Sequence, residues 1–144
     1  LNDDQILNEM ELPKGSMTLI DETKLLIINE CFSEMETELA TGGSAGNAIR
    51  GMACLGAGTG FIGKVGNDFF GDQLREAIKE AGIDDIGLCT DEKIHTTLAM
   101  VHTYPDGDRD FFFYRNPGAD MMLNKTEIPE DILKETEMQI SKKL

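Results

Sequence analysis

Thr41-Gly42-Gly43-Ser44-Ala45-Gly46-Asn47 opens directly into an apolar-periodic run, Ala45, Ala48, Ile49, Met52 and Ala53, that stops at Gly56. Apolar residues recurring every three or four positions specify an amphipathic helix. The two glycines therefore form a turn that delivers Ser44 and Asn47 to the first turns of that helix. Adjacent glycines let the backbone approach a ligand closely and adopt positive φ. Helix-terminal N–H groups, a hydroxyl and an amide offer donors and acceptors to hydroxyls. The stretch reads as a site for a polyhydroxylated ligand, at Gly42, Gly43, Ser44 and Asn47. A purely structural reading stays open, in which the glycines make the turn and Ser44 is the N-cap.

Upstream, Met17-Thr18-Leu19-Ile20 is a short apolar strand, and Asp21 can cap a helix over 22–37, whose buried stripe would be Leu25, Ile28, Phe32 and Met35. Downstream, Phe61–Val65 reads as a strand. A third helix carries Leu74, Ala77, Ile78 and Ala81 and stops at Gly82, and Ile86–Cys89 reads as another strand. Thr96–Thr103 and Arg109–Arg115 flank Tyr104-Pro105-Asp106-Gly107-Asp108, a hairpin signal. The three phenylalanines 111–113 suit a strand packed on both faces. The tail from Pro129 to Leu144, acidic first and basic last, suits a helix by dipole complementarity. The layout is α/β.

Gly42-Gly43 with Asn47, the small Gly58, and then Gly63-x-Val65-Gly66-x-Asp68-x-x-Gly71 together resemble the N-terminal signature of the PfkB (ribokinase-like) carbohydrate kinase family. The match extends over about thirty residues, which makes it far more specific than a lone glycine motif. Phe113-Tyr114-Arg115-Asn116-Pro117-Gly118-Ala119-Asp120 is similar to the fructokinase branch, whereas Leu12–Met17 and the Gly-Gly-Ser turn look more like adenosine-kinase-like members. The resemblance implies a ribokinase-like α/β sandwich with a mostly parallel sheet, flanking helices and a β-hairpin. It also implies ATP-dependent phosphorylation of a sugar hydroxyl, with ATP and Mg2+ as cofactors and a sugar, or a nucleoside, as acceptor. Carried over residue by residue, it places substrate hydroxyls on Gly42, Gly43, Ser44 and Asn47, and lines the sugar pocket with Tyr114 and Arg115, whose guanidinium is a planar fork for oxygens.

The family's catalytic Asp belongs to a second signature, of Asp-Thr-x-Gly-Ala-Gly-Asp type, that residues 1–144 do not contain. The expectation is therefore an incomplete domain, an N-terminal substrate-binding portion of a kinase without its C-terminal half, with no catalytic residue of its own, inert alone and binding neither ATP nor Mg2+ tightly. Unpaired sheet edges in such a piece would favour association as a homodimer, or aggregation. A non-catalytic polyol-binding or protein-interaction module is the rival reading.

Composition narrows the field. With 27 Asp and Glu against 13 Lys and Arg the formal charge is −14, which argues against nucleic acid or an anionic membrane as partners. No stretch reaches the roughly 18 apolar residues of a membrane span, and the acidic start does not suit a signal peptide; the cytoplasm is the expected compartment. Cys31, Cys54 and Cys89 lack metal spacing and read as reduced core residues. Gly58–Lys64 imitates a phosphate-binding loop, yet a helix precedes it and a strand follows, the reverse of what that loop needs. Asp106, Asp108 and Asp110 imitate a calcium loop but lack its Gly and Glu, so they read as a solvated hairpin end. His95 and His102 read as structural.

Overall fold

The computed structural model describes residues 15, 17–31, 33 and 36–136, the side chains of Cys31 and Glu135 excepted. In chain order the elements are β1 (Met17–Ile20), α1 (Glu22–Cys31), α2 (Ser44–Cys54), β2 (Gly63–Gly66), α3 (Phe69–Glu80), β3 (Leu88–Asp91), β4 (Leu98–Thr103) and β5 (Arg109–Tyr114). Two 3-10 turns follow, Ala119–Met122 and Lys125–Glu127, and then α4 (Glu130–Glu135). The chain divides into two compact units, one built from residues 1–37 and 97–118, the other from 38–96 and 119–144. The parallel pairings expected of an α/β fold are present, but the strands lie in two sheets rather than one.

In the first unit β5 is central, parallel to β1 and antiparallel to β4. Side chains alternate across a strand, so the register Thr18–Phe112–Met100 and Ile20–Tyr114–Leu98 defines one face of the sheet. That face carries the core of Ile20, Ile28, Tyr104 and Phe112, with Leu25 packed against it from α1. The opposite face holds Met17, Phe111, Val101 in one row and Leu19, Phe113, Ala99 in the next. The three phenylalanines therefore split: Phe112 is buried, while Phe111 and Phe113 are half-buried and stack at 6.3 Å on the other side.

Asp21 caps α1 as expected, its Oδ1 accepting from Lys24 N at 2.8 Å. The helix ends at Cys31, short of residue 37, because Ser33 turns back and donates both its N–H and its hydroxyl to Glu30 O, an alternative to continuing the helix. Phe32 and Met35 lie outside the described residues. The hairpin forms as expected, with Gly107 at φ 92. Asp110 departs from the solvated end expected for it. It is fully buried and accepts hydrogen bonds from the Tyr104 hydroxyl and from Gly15 N; alternation on β5 puts it on the Phe112 face, where a carboxylate is tolerated only when it is hydrogen-bonded.

In the second unit β2 and β3 run parallel from Gly63↔Leu88 to Gly66↔Asp91, extended by a bridge at Gly60↔Asp84. Val65, Ile78, Ile83 and Leu88 form its core, with Ile49 and Ala53 of α2 and Leu74 of α3 packed against them. β3 starts two residues later than the apolar pattern suggests, because Asp84 Oδ1 accepts from Ile86 N and holds a local turn that leaves Ile86 exposed. α4 begins after Pro129 as expected; the rest of the expected tail helix, 137–144, lies outside the described residues. Among the described residues no helix is long and apolar enough to cross a membrane.

Candidate functional site

α2 starts at a glycine, and that glycine decides the geometry. Gly43 is the N-cap residue at φ 89, ψ 139, a left-handed φ that a side chain would strain. Ser44 is thus the first helical residue and not the N-cap, and no side chain caps the helix. Its hydroxyl and the Asn47 amide are exposed, and among the described residues neither side chain has a hydrogen-bond partner. A Cβ on Gly42 or Gly43 would meet nothing within 4 Å. The Asn47 N–H donates to Gly43 O at 2.9 Å, the first intrahelical bond, so the N–H groups of Ser44, Ala45 and Gly46 have no acceptor within the helix. The structure therefore brings Gly42, Gly43, Ser44 and Asn47 together around an open turn, with the Ser44 and Asn47 side chains exposed beside the first helical N–H groups. The Arg50 guanidinium adds a tie that sequence reasoning missed: it donates to the Thr41 hydroxyl, just before the turn.

Tyr114 and Arg115 belong to the other unit. Tyr114 ends β5, half-buried against the Ile20–Phe112 core, and burial pushes its phenol above the ordinary value, with the Glu22 carboxylate adding to the effect. Arg115 follows, half-buried, ahead of a cis Asn116-Pro117 bond.

The second half of the signature has a structural task. Asp68 is the N-cap of α3, accepting from Gly71 N at 2.9 Å. It also accepts from Thr96 N at 2.7 Å and from the Thr96 hydroxyl at 2.7 Å, while that hydroxyl accepts from Gly66 N at 2.9 Å. Burial works to raise the Asp68 pKa, but the donors from Thr96 and Gly71 outweigh it and hold the carboxyl below its usual range. The glycines are dictated by crowding: a Cβ on Gly71 would stand 2.3 Å from Gly66 O, and one on Gly66 would stand 2.6 Å from Thr96 N. Thr96, 28 residues from Asp68, carried no sequence signal for this part.

The lysine of the imitation phosphate loop is already committed. Lys64, its side chain only 10% exposed, reaches Glu127 at 2.8 Å and Asp91 at 3.2 Å. The hydrogen bond to Glu127 is the main reason its ammonium is held above the ordinary range. Cys54, at the end of α2, is exposed and not a core residue. Cys89 is half-buried with its thiol 3.6 Å from Glu127 O.

The family model for "pfkB family carbohydrate kinase" matches residues 17–143. The chain belongs to the pfkB family. This pfkB chain is 42% identical over 95 residues to fructokinase-1 of Oryza sativa subsp. japonica, a stretch covering 66% of the chain and 29% of that relative. Among solved structures it resembles adenosine kinase from Sinorhizobium meliloti, with 29% identity, a TM-score of 0.70, and coverage of 92% of this chain and 39% of that one. It also resembles a fructokinase with bound ATP from Xylella fastidiosa, with 30% identity, a TM-score of 0.60, and coverage of 69% and 33%. The fold is thus ribokinase-like, and the pfkB chain spans less than a third of the length of the curated relatives it matches.

Proposed function

We propose that residues 1–144 are the N-terminal substrate-binding portion of a kinase domain that transfers phosphate from ATP to a sugar hydroxyl, with fructose as the acceptor. Gly42, Gly43, Ser44 and Asn47 hold the hydroxyls, and Tyr114 and Arg115, on the other unit, are the further sugar contacts that the resemblance implies. The observation that carries this reading is the uncapped start of α2. The terminal N–H groups of a helix are satisfied by a capping side chain, by water or by a ligand; here Gly43 makes the cap without a side chain, which leaves the N–H groups open to solvent or ligand, and Ser44 and Asn47 stay exposed beside them. Phosphoryl transfer also needs a base, charge stabilisation and, in most cases, Mg2+. Lys64 is tied into an ion-pair cluster, and no three His, Cys, Asp or Glu side chains among the described residues are arranged to hold a metal. ATP and Mg2+ are therefore assigned to a part of the kinase other than these residues.

The purified 144-residue chain is expected to bind fructose weakly and to form no ADP from ATP, Mg2+ and fructose. Fructose-dependent ADP release that Asn47→Ala abolishes would overturn the inertness. An absence of any fructose binding, in a chain whose circular dichroism matches the fold, would overturn the site. Adenosine is the second acceptor to test, because the likeness to adenosine kinase covers 92% of the chain, against 69% for the fructokinase structure. The exposed sheet face of Met17, Leu19 and Val101 supports a homodimer.

A further inference from the structure

We infer that Arg50 is a positioning residue for the Gly-Gly turn, acting through Thr41. The turn is short of restraints. Gly42 and Gly43 have no side chains, nothing stands within 4 Å of where their Cβ atoms would be, and α2 has no side-chain cap. Two glycines in succession carry the largest backbone entropy the chain can have, so a site built on them holds its shape only if something outside them fixes both ends. One end is fixed by α2 itself, through Asn47 N–H to Gly43 O at 2.9 Å. The other end is Thr41, and the Arg50 guanidinium holds its hydroxyl.

Arg50 stands three residues beyond Asn47, and side chains three apart on a helix are neighbours. Its reach back to Thr41 therefore leaves the helix beside Asn47. Arg suits the task because its planar fork keeps its orientation with a single bond made and retains further donors. The bond closes a ring from Thr41 through Gly42, Gly43 and two turns of α2 back to Thr41.

The consequence for ligand binding rests on the sugar-site reading above; the structural part does not, and the experiment separates the two. Amide hydrogen exchange by NMR is measured on the 144-residue chain and on Arg50→Ala, Thr41→Val, the double variant and Arg50→Lys. The Asn47 amide is expected to exchange about fivefold faster in either single variant, the factor one net hydrogen bond supplies. The double variant is expected to be no worse than either single, because the two groups serve one bond, and Arg50→Lys is expected to recover part of the protection. Loss of helix propensity is not an alternative cause, because Ala forms helix at least as well as Arg; the Ala53 amide, near the far end of α2, should stay unchanged. Unchanged Asn47 exchange in either single variant, or additive effects in the double, overturns the inference. Fructose titration supplies the second readout: a fall in affinity that tracks exchange supports the link to the site, and equal affinity in Arg50→Ala despite faster exchange overturns it. A chain that binds no fructose at all refutes the sugar reading and leaves the exchange result to decide the role of Arg50.

Discussion

Replacing Thr96 by Val keeps the shape of a side chain that is 8% exposed and removes only the hydroxyl that joins Asp68 to Gly66. Two hydrogen bonds are lost, from the hydroxyl to Asp68 Oδ1 and from Gly66 N to the hydroxyl. Gly66 is buried, and an N–H left there without an acceptor costs about 1–3 kcal/mol. The bond to the carboxylate is charge-assisted, but Asp68 is partly exposed and keeps its donors from Gly71 N and Thr96 N, so water replaces much of what is lost and its share is under about 1 kcal/mol. The expected loss is about 1–4 kcal/mol, read at pH 7 by urea unfolding and placed in the second unit by faster exchange of the Val65 and Ile78 amides. The pH dependence follows from the direction of the Asp68 shift. A carboxyl with a depressed folded pKa contributes stability that is full above its unfolded value, about 3.9, and is lost as pH falls through the folded value. Thr96→Val removes one of the donors that depress it, so the gap to the parent should narrow as pH drops below about 4. A loss below about 0.5 kcal/mol at pH 7, or a gap that widens in acid, would refute the reasoning.

Gly71→Ala and Gly51→Ala should move stability in opposite directions. The first drives a Cβ to 2.3 Å from Gly66 O and should cost about 3 kcal/mol or more in urea unfolding. The second sits inside α2 with nothing within 4 Å and should gain up to about 1 kcal/mol from helix propensity; equal effects would discredit the crowding argument. On the apolar sheet face, Val101→Lys is at a side chain that is 49% exposed, so stability should stay within about 0.5 kcal/mol. Light scattering should then give a smaller mass than for the parent at the same concentration, and an unchanged mass would count against association through this face.

Local rules carried the sequence reading far where the cause was local. Asp21 caps α1, Gly82 and Gly56 take positive φ after their helices, and the Pro105-Asp106-Gly107 hairpin turns as its residues require. The readings that changed turned on how the chain packs for Asp110 and Cys54 and on an adjacent glycine for Ser44. Asp110 resembles its acidic neighbours Asp106 and Asp108 until Tyr104 and Gly15, 95 residues away, are found around it. Cys54 lies in an apolar-periodic run, yet α2 buries none of its residues fully. Ser44 satisfies the composition rule for an N-cap, but Gly43 takes the capping position first, because its φ of 89 is open to glycine.

The signature itself joins two opposite uses of one residue type. At Gly42 and Gly43 a Cβ would meet empty space, whereas at Gly66 and Gly71 it would collide with backbone. In the first pair the missing side chain leaves room above a turn; in the second it lets β2, α3 and the segment at Thr96 close on one carboxylate, Asp68. The one-letter pattern records both as glycine and cannot tell them apart. Changes at Gly66, Asp68 or Gly71 should therefore lower stability and sugar affinity together, through the fold. Changes at Ser44 or Asn47, exposed and without partners among the described residues, should lower sugar affinity while leaving the unfolding transition in place. That separation is the measurable difference between the part of the signature that holds the protein and the part proposed to hold the sugar.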